Sequence, residues 1–133
     1  MKIESHLRNY KESLEELERA IRSGLEGKQR TIGFHASVAM VDLLEMFLHK
    51  KNLLSSDQVL KHDWFASKNK IQEKLSIPFD RKEEILTHMH SIEERRNTLC
   101  YGSPQEKQIL EEIIQHFQAL RKIFKELGLD EIK

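Results

Sequence analysis

The chain contains few residues that break helices or cross-link a fold. Its 133 residues include five glycines, two prolines and one cysteine. A single cysteine excludes an intramolecular disulfide, and so few helix breakers beside abundant Leu, Ile, Glu and Lys favour long helices over a sheet. The length fits one domain, residues 1–133, that can bury a core of its own.

The sequence also lacks net charge and long apolar runs. Its 22 basic and 22 acidic side chains cancel, so no overall positive field draws the protein to nucleic acid. Glu4, Arg8 and Glu12 interrupt the N-terminal segment, which therefore lacks the apolar run of a signal peptide. No apolar stretch approaches the roughly 20 residues that cross a bilayer, and we expect a cytoplasmic protein that does not enter a membrane.

Apolar residues recur at helical spacing in the first half of the chain. This pattern predicts a first helix from about residue 4 to 26 and a second from about residue 29 to 51. Ser55 and Gln58 have the spacing of a capping box, which predicts that a third helix starts there.

Two further helices are predicted in the second half of the chain. Asp80 and Glu83 form a cap pair that opens the fourth helix, and Ser103, Pro104 and Glu106 signal the start of the fifth. Because the connections are short, we expect an all-α fold, an antiparallel up-and-down four-helix bundle with a fifth helix.

One arginine breaks the apolar pattern of the fourth helix. Ile92 and Leu99 belong to its apolar stripe, and the spacing places Arg96 between them, where an apolar residue is expected. Arg95 points about 100° away and can be solvated. A buried guanidinium is costly unless an acid pairs with it, and Glu93, three residues earlier, is the local candidate.

Two interpretations of Arg96 stay open. In one, the side chain lies at the bundle edge, extends to solvent and makes an ordinary ion pair. In the other, it forms an anion site in a cleft or subunit interface, because the planar guanidinium matches phosphate oxygens. Asn97 would add amide hydrogen-bonding groups beside it, and the hydroxyl of Tyr101 would reach the same cleft from the helix end.

Seven histidines raise the question of a metal site. We find no HExxH motif, no second cysteine and no carboxylate–histidine pair of metal type at i, i+4, and His88 and His90 point to different sides of a helix. The sequence therefore predicts no metal ligand and no cofactor. His35, on the apolar face of the second helix, is expected to be a hydrogen-bonded core residue or to enter a dimer cleft beside Arg96.

The segment Glu93–Gly102, with the sequence EERRNTLCYG, resembles the signature region of HEPN domains, and residues 31–51 resemble that family's second helix. The resemblance implies a bundle of four or five helices that dimerises, with the signature residues of two subunits facing one cleft. Many HEPN proteins are metal-independent endoribonucleases, often toxins partnered with a small nucleotidyltransferase. Others bind nucleotides or partners without cutting RNA.

By the family's motif, Arg96 would bind phosphate, Asn97 would be its polar neighbour, and Tyr101 occupies a position where a histidine is expected. Tyrosine, with an ordinary pKa of about 10, is a poor base at neutral pH, so the resemblance implies weak or lost cleavage of RNA.

The expected partners are a second copy of the chain, RNA or a nucleotide, and a nucleotidyltransferase. The alternatives are an inactive module that docks such a transferase and a purely structural bundle. The candidate catalytic residues are Arg96, Asn97 and Tyr101, and the candidate binding residues are Arg95, Glu93 and His35.

Overall fold

The described part of the chain consists of helices and the loops that join them. The computed structural model describes residues 2–55 and 57–130, and no strand occurs among them. The all-α bundle predicted from the sequence is confirmed. The elements in chain order are α1 (Ile3–Arg22), α2 (Gln29–Lys50), a 3-10 helix (His62–Ala66), α3 (Lys68–Lys74), α4 (Lys82–Tyr101) and α5 (Lys107–Glu126).

The four long helices run alternately up and down. The start of α1 lies against the end of α2, where His6 Nδ1 is 2.8 Å from Asp42 Oδ1. The start of α2 contacts the end of α4, because the Gln29 amide donates to the carbonyl of Leu99 at 3.3 Å. Arg81, just before α4, bonds the last residue of α5 at 2.7 Å. Each long helix is therefore antiparallel to the next one in the chain.

Helix α2 is the central element, and it packs on α1, α4, α5 and the 3-10 helix. Residues 39–48 are all buried, whichever side of the helix they occupy. Contrary to the sequence expectation, α2 is long and apolar enough to span a membrane by length and composition alone. However, 78% of its most apolar 18-residue stretch is buried inside the bundle, as in the core helix of a soluble protein.

The predicted start of the third helix was wrong. Ser55 and Gln58 do make the capping contact, since the Ser55 N–H donates to Gln58 Oε1 at 2.8 Å, but residues 57–61 are not helical. The backbone is directed to α2 instead, where the Leu60 N–H donates to Glu45 Oε1 at 3.0 Å. Helical structure resumes only in the 3-10 helix and α3.

The predicted start of the fifth helix was also too early. Helix α5 begins at Lys107, after the Ser103–Pro104 signal. The side chain of Gln29 holds the intervening turn, because its amide donates to the Ser103 carbonyl at 3.1 Å and accepts from the Gln105 N–H at 2.7 Å. The backbone that would have formed a first helical turn is bonded to α2 instead.

Residues with positive φ mark two other helix boundaries. Helix α1 ends at Arg22, four residues before the predicted end, because the chain turns through left-handed φ values of 83° at Gly24 and 73° at Leu25. The predicted Asp80 cap does not form, since no side chain caps the start of α4 and Arg81 precedes it with φ 58°.

Helices α2 and α4 approach each other closely at Gly33, where there is no room for a larger side chain. A methyl group added to Gly33 would lie 2.6 Å from Cβ of Leu99, so we expect Gly33→Ala to lower the free energy of unfolding by about 1–3 kcal/mol, although alanine is the better helix former. Chemical denaturation measures the change. Arg30→Ala, at an exposed position of the same helix, is the control and should change stability by less than about 0.5 kcal/mol. A Gly33→Ala variant as stable as the wild type would show that the helices separate without cost.

Candidate functional site

Arg96 lies within the buried face of α4. Successive residues rotate by about 100° around the helix axis, which places Arg96 among the buried Met89, Ile92 and Leu99. The side chain is half-buried. Its Nε atom is shielded from solvent and has no hydrogen-bond acceptor within residues 2–55 and 57–130.

The guanidinium of Arg96 packs on an aromatic ring. Its Cζ atom lies 5.6 Å from the ring centroid of Phe34, a distance typical of a cation–π contact. The Phe34 ring is 44% exposed and so presents apolar surface beside the cation. In the part of the chain that the structure describes, no carboxylate pairs with Arg96, so its charge is not neutralised there.

Glu93, the expected partner of Arg96, is bound by other side chains. It is only 7% exposed and accepts hydrogen bonds from the Ser37 hydroxyl at 2.6 Å and from His62 Nδ1 at 2.7 Å. The prediction that Glu93 pairs with Arg96 was therefore wrong. The carboxylate is turned toward α2 and the 3-10 helix, where two donors satisfy it.

His62, the first residue of the 3-10 helix, is a residue that the sequence analysis did not single out. In the neutral imidazole whose Nδ1 donates to the carboxylate of Glu93, the Nε2 atom keeps a lone pair. His62 lines a cleft of about 540 Å³ between α1, α2 and the segment before the 3-10 helix. An imidazole oriented by a carboxylate at the wall of a cleft is the arrangement of a general base. No sequence signal joins two residues that are 31 positions apart.

The remaining predicted residues on α4 do not converge on Arg96. Asn97 is exposed and lies about 100° from Arg96 around the helix, and Tyr101 is 74% exposed and lies about 140° away. Asn97 and Tyr101 are four residues apart and share the outward face of α4. Arg95, half-exposed, lies on the opposite flank of Arg96. Within one chain these side chains form two separate surfaces.

His35 belongs to the same cleft as His62. Its Nδ1 atom is 3.1 Å from the hydroxyl of Ser13, and its ring stands edge-on to Phe34, with 5.0 Å between the centroids. Burial lowers the pKa of His35 below the ordinary 6.5, and the negative charges of Glu16 and Glu12 oppose that shift. His35 is thus a half-buried, hydrogen-bonded residue at the cleft wall.

Three side chains in this region of the fold have the arrangement of metal ligands. His6, Glu45 and His49 each offer one ligand atom, and these atoms lie within 4.8 Å of one another. His6 and Glu45 also line the cleft. Glu45 and His49 are four residues apart on α2, a spacing that the sequence argument overlooked, whereas nothing in the sequence connects His6 of α1 to them.

Comparison with known proteins gives no relative: no family model matches the chain, and no curated protein or solved structure is significantly similar to it. The likeness to HEPN domains therefore rests on residues 93–102 and 31–51 alone and stays a prediction.

We expect the imidazole of His35 to titrate below pH 6.5 in an NMR experiment. Glu16→Gln removes the larger of the two charges that raise this pKa, so the variant should titrate at a still lower pH, with Glu12→Gln giving a smaller change. Because the lowered pKa makes the native state bind protons less readily than the unfolded chain, His35 lowers stability as the pH falls below 6.5. Glu26→Gln, at an exposed position outside this set, is the control. Titration at or above pH 6.5, or no response to Glu16→Gln, would contradict the burial argument.

Proposed function

We propose that this chain is a HEPN-like protein of the cytoplasm that binds a phosphate group of RNA or of a nucleotide through Arg96. The observation that supports the proposal is the half-buried guanidinium of Arg96, which no carboxylate neutralises in the described residues. Removing a cation from water is unfavourable unless an opposite charge meets it. A phosphate oxygen beside Arg96 would supply that charge and a hydrogen-bond acceptor.

Glu93 does not compete with a phosphate for Arg96. The carboxylate is occupied by Ser37 and His62 at 2.6 and 2.7 Å. An incoming anion therefore has no internal ion pair to break, and binding keeps the whole gain of the charge interaction. Replacing the two donors of Glu93 by Arg96 would leave the hydroxyl of buried Ser37 without its acceptor, at a cost of about 1–3 kcal/mol.

The surroundings of Arg96 also suit a nucleotide. The exposed surface of Phe34 lies next to the guanidinium, and exposed aromatic rings are platforms on which bases stack. The cleft lined by Phe34, His35 and His62 has a volume of about 540 Å³, within the usual range for small-molecule sites. A phosphate on Arg96 would place the attached sugar and base at the mouth of that cleft.

In this proposal His62 replaces the histidine that the motif lacks. Its Nε2 atom takes the proton of a 2′-hydroxyl, the oxygen attacks the neighbouring phosphorus, and the bond to the 5′-oxygen breaks. Glu93 positions the imidazole through Nδ1. The leaving 5′-oxygen takes its proton from water in this proposal, because Tyr101 lies on a separate surface of α4, so cleavage is slow.

A fluorescein-labelled single-stranded RNA of mixed sequence, studied in EDTA, tests both steps. We expect Arg96→Ala to weaken binding roughly 10- to 100-fold, because a charge-assisted contact to phosphate is lost. His62→Ala should leave binding within about threefold of wild type and abolish the slow cleavage. Arg22→Ala removes an equal charge from an exposed position of α1 and should behave as wild type apart from a small effect on salt dependence.

Equal loss of affinity in Arg96→Ala and Arg22→Ala would contradict the phosphate site, since it would mean that only net charge matters. Binding that needs Arg96, with no cleavage by the wild type, would keep the phosphate site and remove the catalytic role of His62.

We further propose that two copies of the chain assemble through the outward face of α4. Tyr101 on this face is 74% exposed, and Asn97 beside it is turned away from Arg96 of its own chain. Because a two-fold interface joins the same patch of both copies, this face would bring Asn97 and Tyr101 of one chain next to those of the other, while each Arg96 stays on its separate surface.

Light scattering coupled to size exclusion should give twice the chain mass. Tyr101→Ala is expected to raise the dimer dissociation constant about tenfold or more, as loss of an exposed aromatic anchor does at interfaces. Ile21→Ala, which truncates a 38% exposed side chain on α1, is the control and should remain dimeric. A wild-type chain that stays monomeric at millimolar concentration would rule the assembly out.

The small nucleotidyltransferase stays a predicted partner that the family resemblance alone supports. In such pairs the HEPN-like chain is the toxin, which agrees with a phosphate site and slow cleavage. A stable complex with the transferase, formed by a chain that binds no RNA, would favour the inactive interaction module instead.

A further inference from the structure

A second site is built where the start of α1 meets the end of α2. Glu45 and His49 lie on one face of α2, one helical turn apart, and the antiparallel packing of α1 brings His6 against them. The three side chains offer ligand atoms that all lie within 4.8 Å of one another. Around a zinc ion, ligand atoms about 2.1 Å from the metal are roughly 3.4 Å apart, so an inward movement of about 1 Å closes the set.

Both imidazoles are already oriented by hydrogen bonds at Nδ1. His6 Nδ1 lies 2.8 Å from Asp42 Oδ1, and His49 Nδ1 lies 3.1 Å from the carbonyl oxygen of Leu54. Because a carbonyl oxygen can only accept, His49 Nδ1 carries the proton and Nε2 keeps its lone pair. Metal-binding histidines are typically fixed in this way, with the second ring nitrogen bonded to a carboxylate or a backbone carbonyl.

The Nε2 atoms of both rings lack a hydrogen-bond partner among the described residues. Each is shielded from solvent and has no hydrogen bond within the described ranges. His6 Nε2 does lie 3.1 Å from Glu45 Oε2, but without the alignment of a hydrogen bond. Buried polar atoms without a partner are rare in folded proteins and call for an explanation such as a bound ion.

The carboxylate of Glu45 is fixed as well. Its Oε1 atom accepts the Leu60 N–H at 3.0 Å, which leaves Oε2 on the side of His6. All three side chains are therefore held by a second group, and each offers a ligand atom within 4.8 Å of the other two.

The charge balance of this region favours a cation. Asp42 and Glu45 are only 8% and 2% exposed. Among the described side chains, no lysine or arginine forms an ion pair with either of them. Two buried carboxylates without a lysine or arginine partner are costly, and a doubly charged ion would offset that cost.

From this geometry we propose that His6, Glu45 and His49 bind one divalent cation of the zinc class, with Asp42 as the positioning residue for His6. Two imidazoles and a carboxylate suit Zn²⁺ or Co²⁺ rather than Mg²⁺ or Ca²⁺, which prefer oxygen ligands. His6 and Glu45 line the 540 Å³ cleft, so the fourth coordination position opens on it and takes water or a small anion. The proposal is independent of the phosphate site, because Arg96 takes no part in it.

The test uses full-length, tag-free protein stripped of metal, because a histidine tag would bind the same ions. We expect isothermal titration with Zn²⁺ to give one ion per chain, and Co²⁺ to give the visible absorption of a tetrahedral complex. His49→Ala and the isosteric Glu45→Gln should weaken binding more than about 100-fold, and Asp42→Asn about 10- to 100-fold.

His88→Ala is the matched control. It disrupts the other close pair of imidazoles, His88 and His116, whose Nδ1 atoms are 2.9 Å apart, and it should leave the affinity for Zn²⁺ unchanged. Circular dichroism verifies that each variant is folded, and Glu45→Gln keeps the test decisive if His49→Ala does not fold. No binding by the wild type, or binding that His88→Ala abolishes and Glu45→Gln preserves, would overturn the proposal.

Discussion

The burial of α2 on nearly all of its sides is the constraint on which the rest of the structure depends. Polar side chains on such a helix must form hydrogen bonds inside the protein. A buried polar group without a hydrogen bond typically lowers the free energy of unfolding by about 1–3 kcal/mol. Ser37 forms a hydrogen bond with Glu93 of α4, and Asp42 forms one with His6 of α1. Glu45 finds a backbone N–H of the following loop. These bonds fix the three neighbouring elements around α2.

Both candidate sites follow from this requirement. The carboxylate of Glu93 accepts hydrogen bonds from Ser37 and His62. As a result it does not pair with Arg96, and it orients the ring of His62. At the other end of the helix, near Asp42 and Glu45, the Nε2 atoms of His6 and His49 have no hydrogen bond among the described residues. One cleft is lined by residues of both candidate sites, so a ligand entering it meets His62 together with His6 and Glu45.

The sequence predicted what depends on local spacing and missed what depends on distant contacts. The first two helices and the place of Arg96 on α4 follow from a period of 3.6 residues. The pairing of Glu93 with His62 does not follow from this period, because the two residues are 31 positions apart in the sequence. The third and fifth helices were predicted to start too early for the same reason. Their caps are locally sound, but Glu45 and Gln29 of α2 bind the backbone there instead.

Two hydrogen bonds that hold the loop after α2 bear on whether the chain can accept an insertion there. The Leu54 carbonyl and the Leu60 N–H are anchored to His49 and Glu45, side chains one helical turn, or about 6 Å, apart. The ends of this loop are thus tethered close together whatever its length. Since closing a longer loop costs only about 0.6 kcal/mol for each doubling, an extra peptide or a small domain inserted between the two anchors would leave the bundle and its cleft intact. The same position offers a natural attachment point for a reporter next to the cleft.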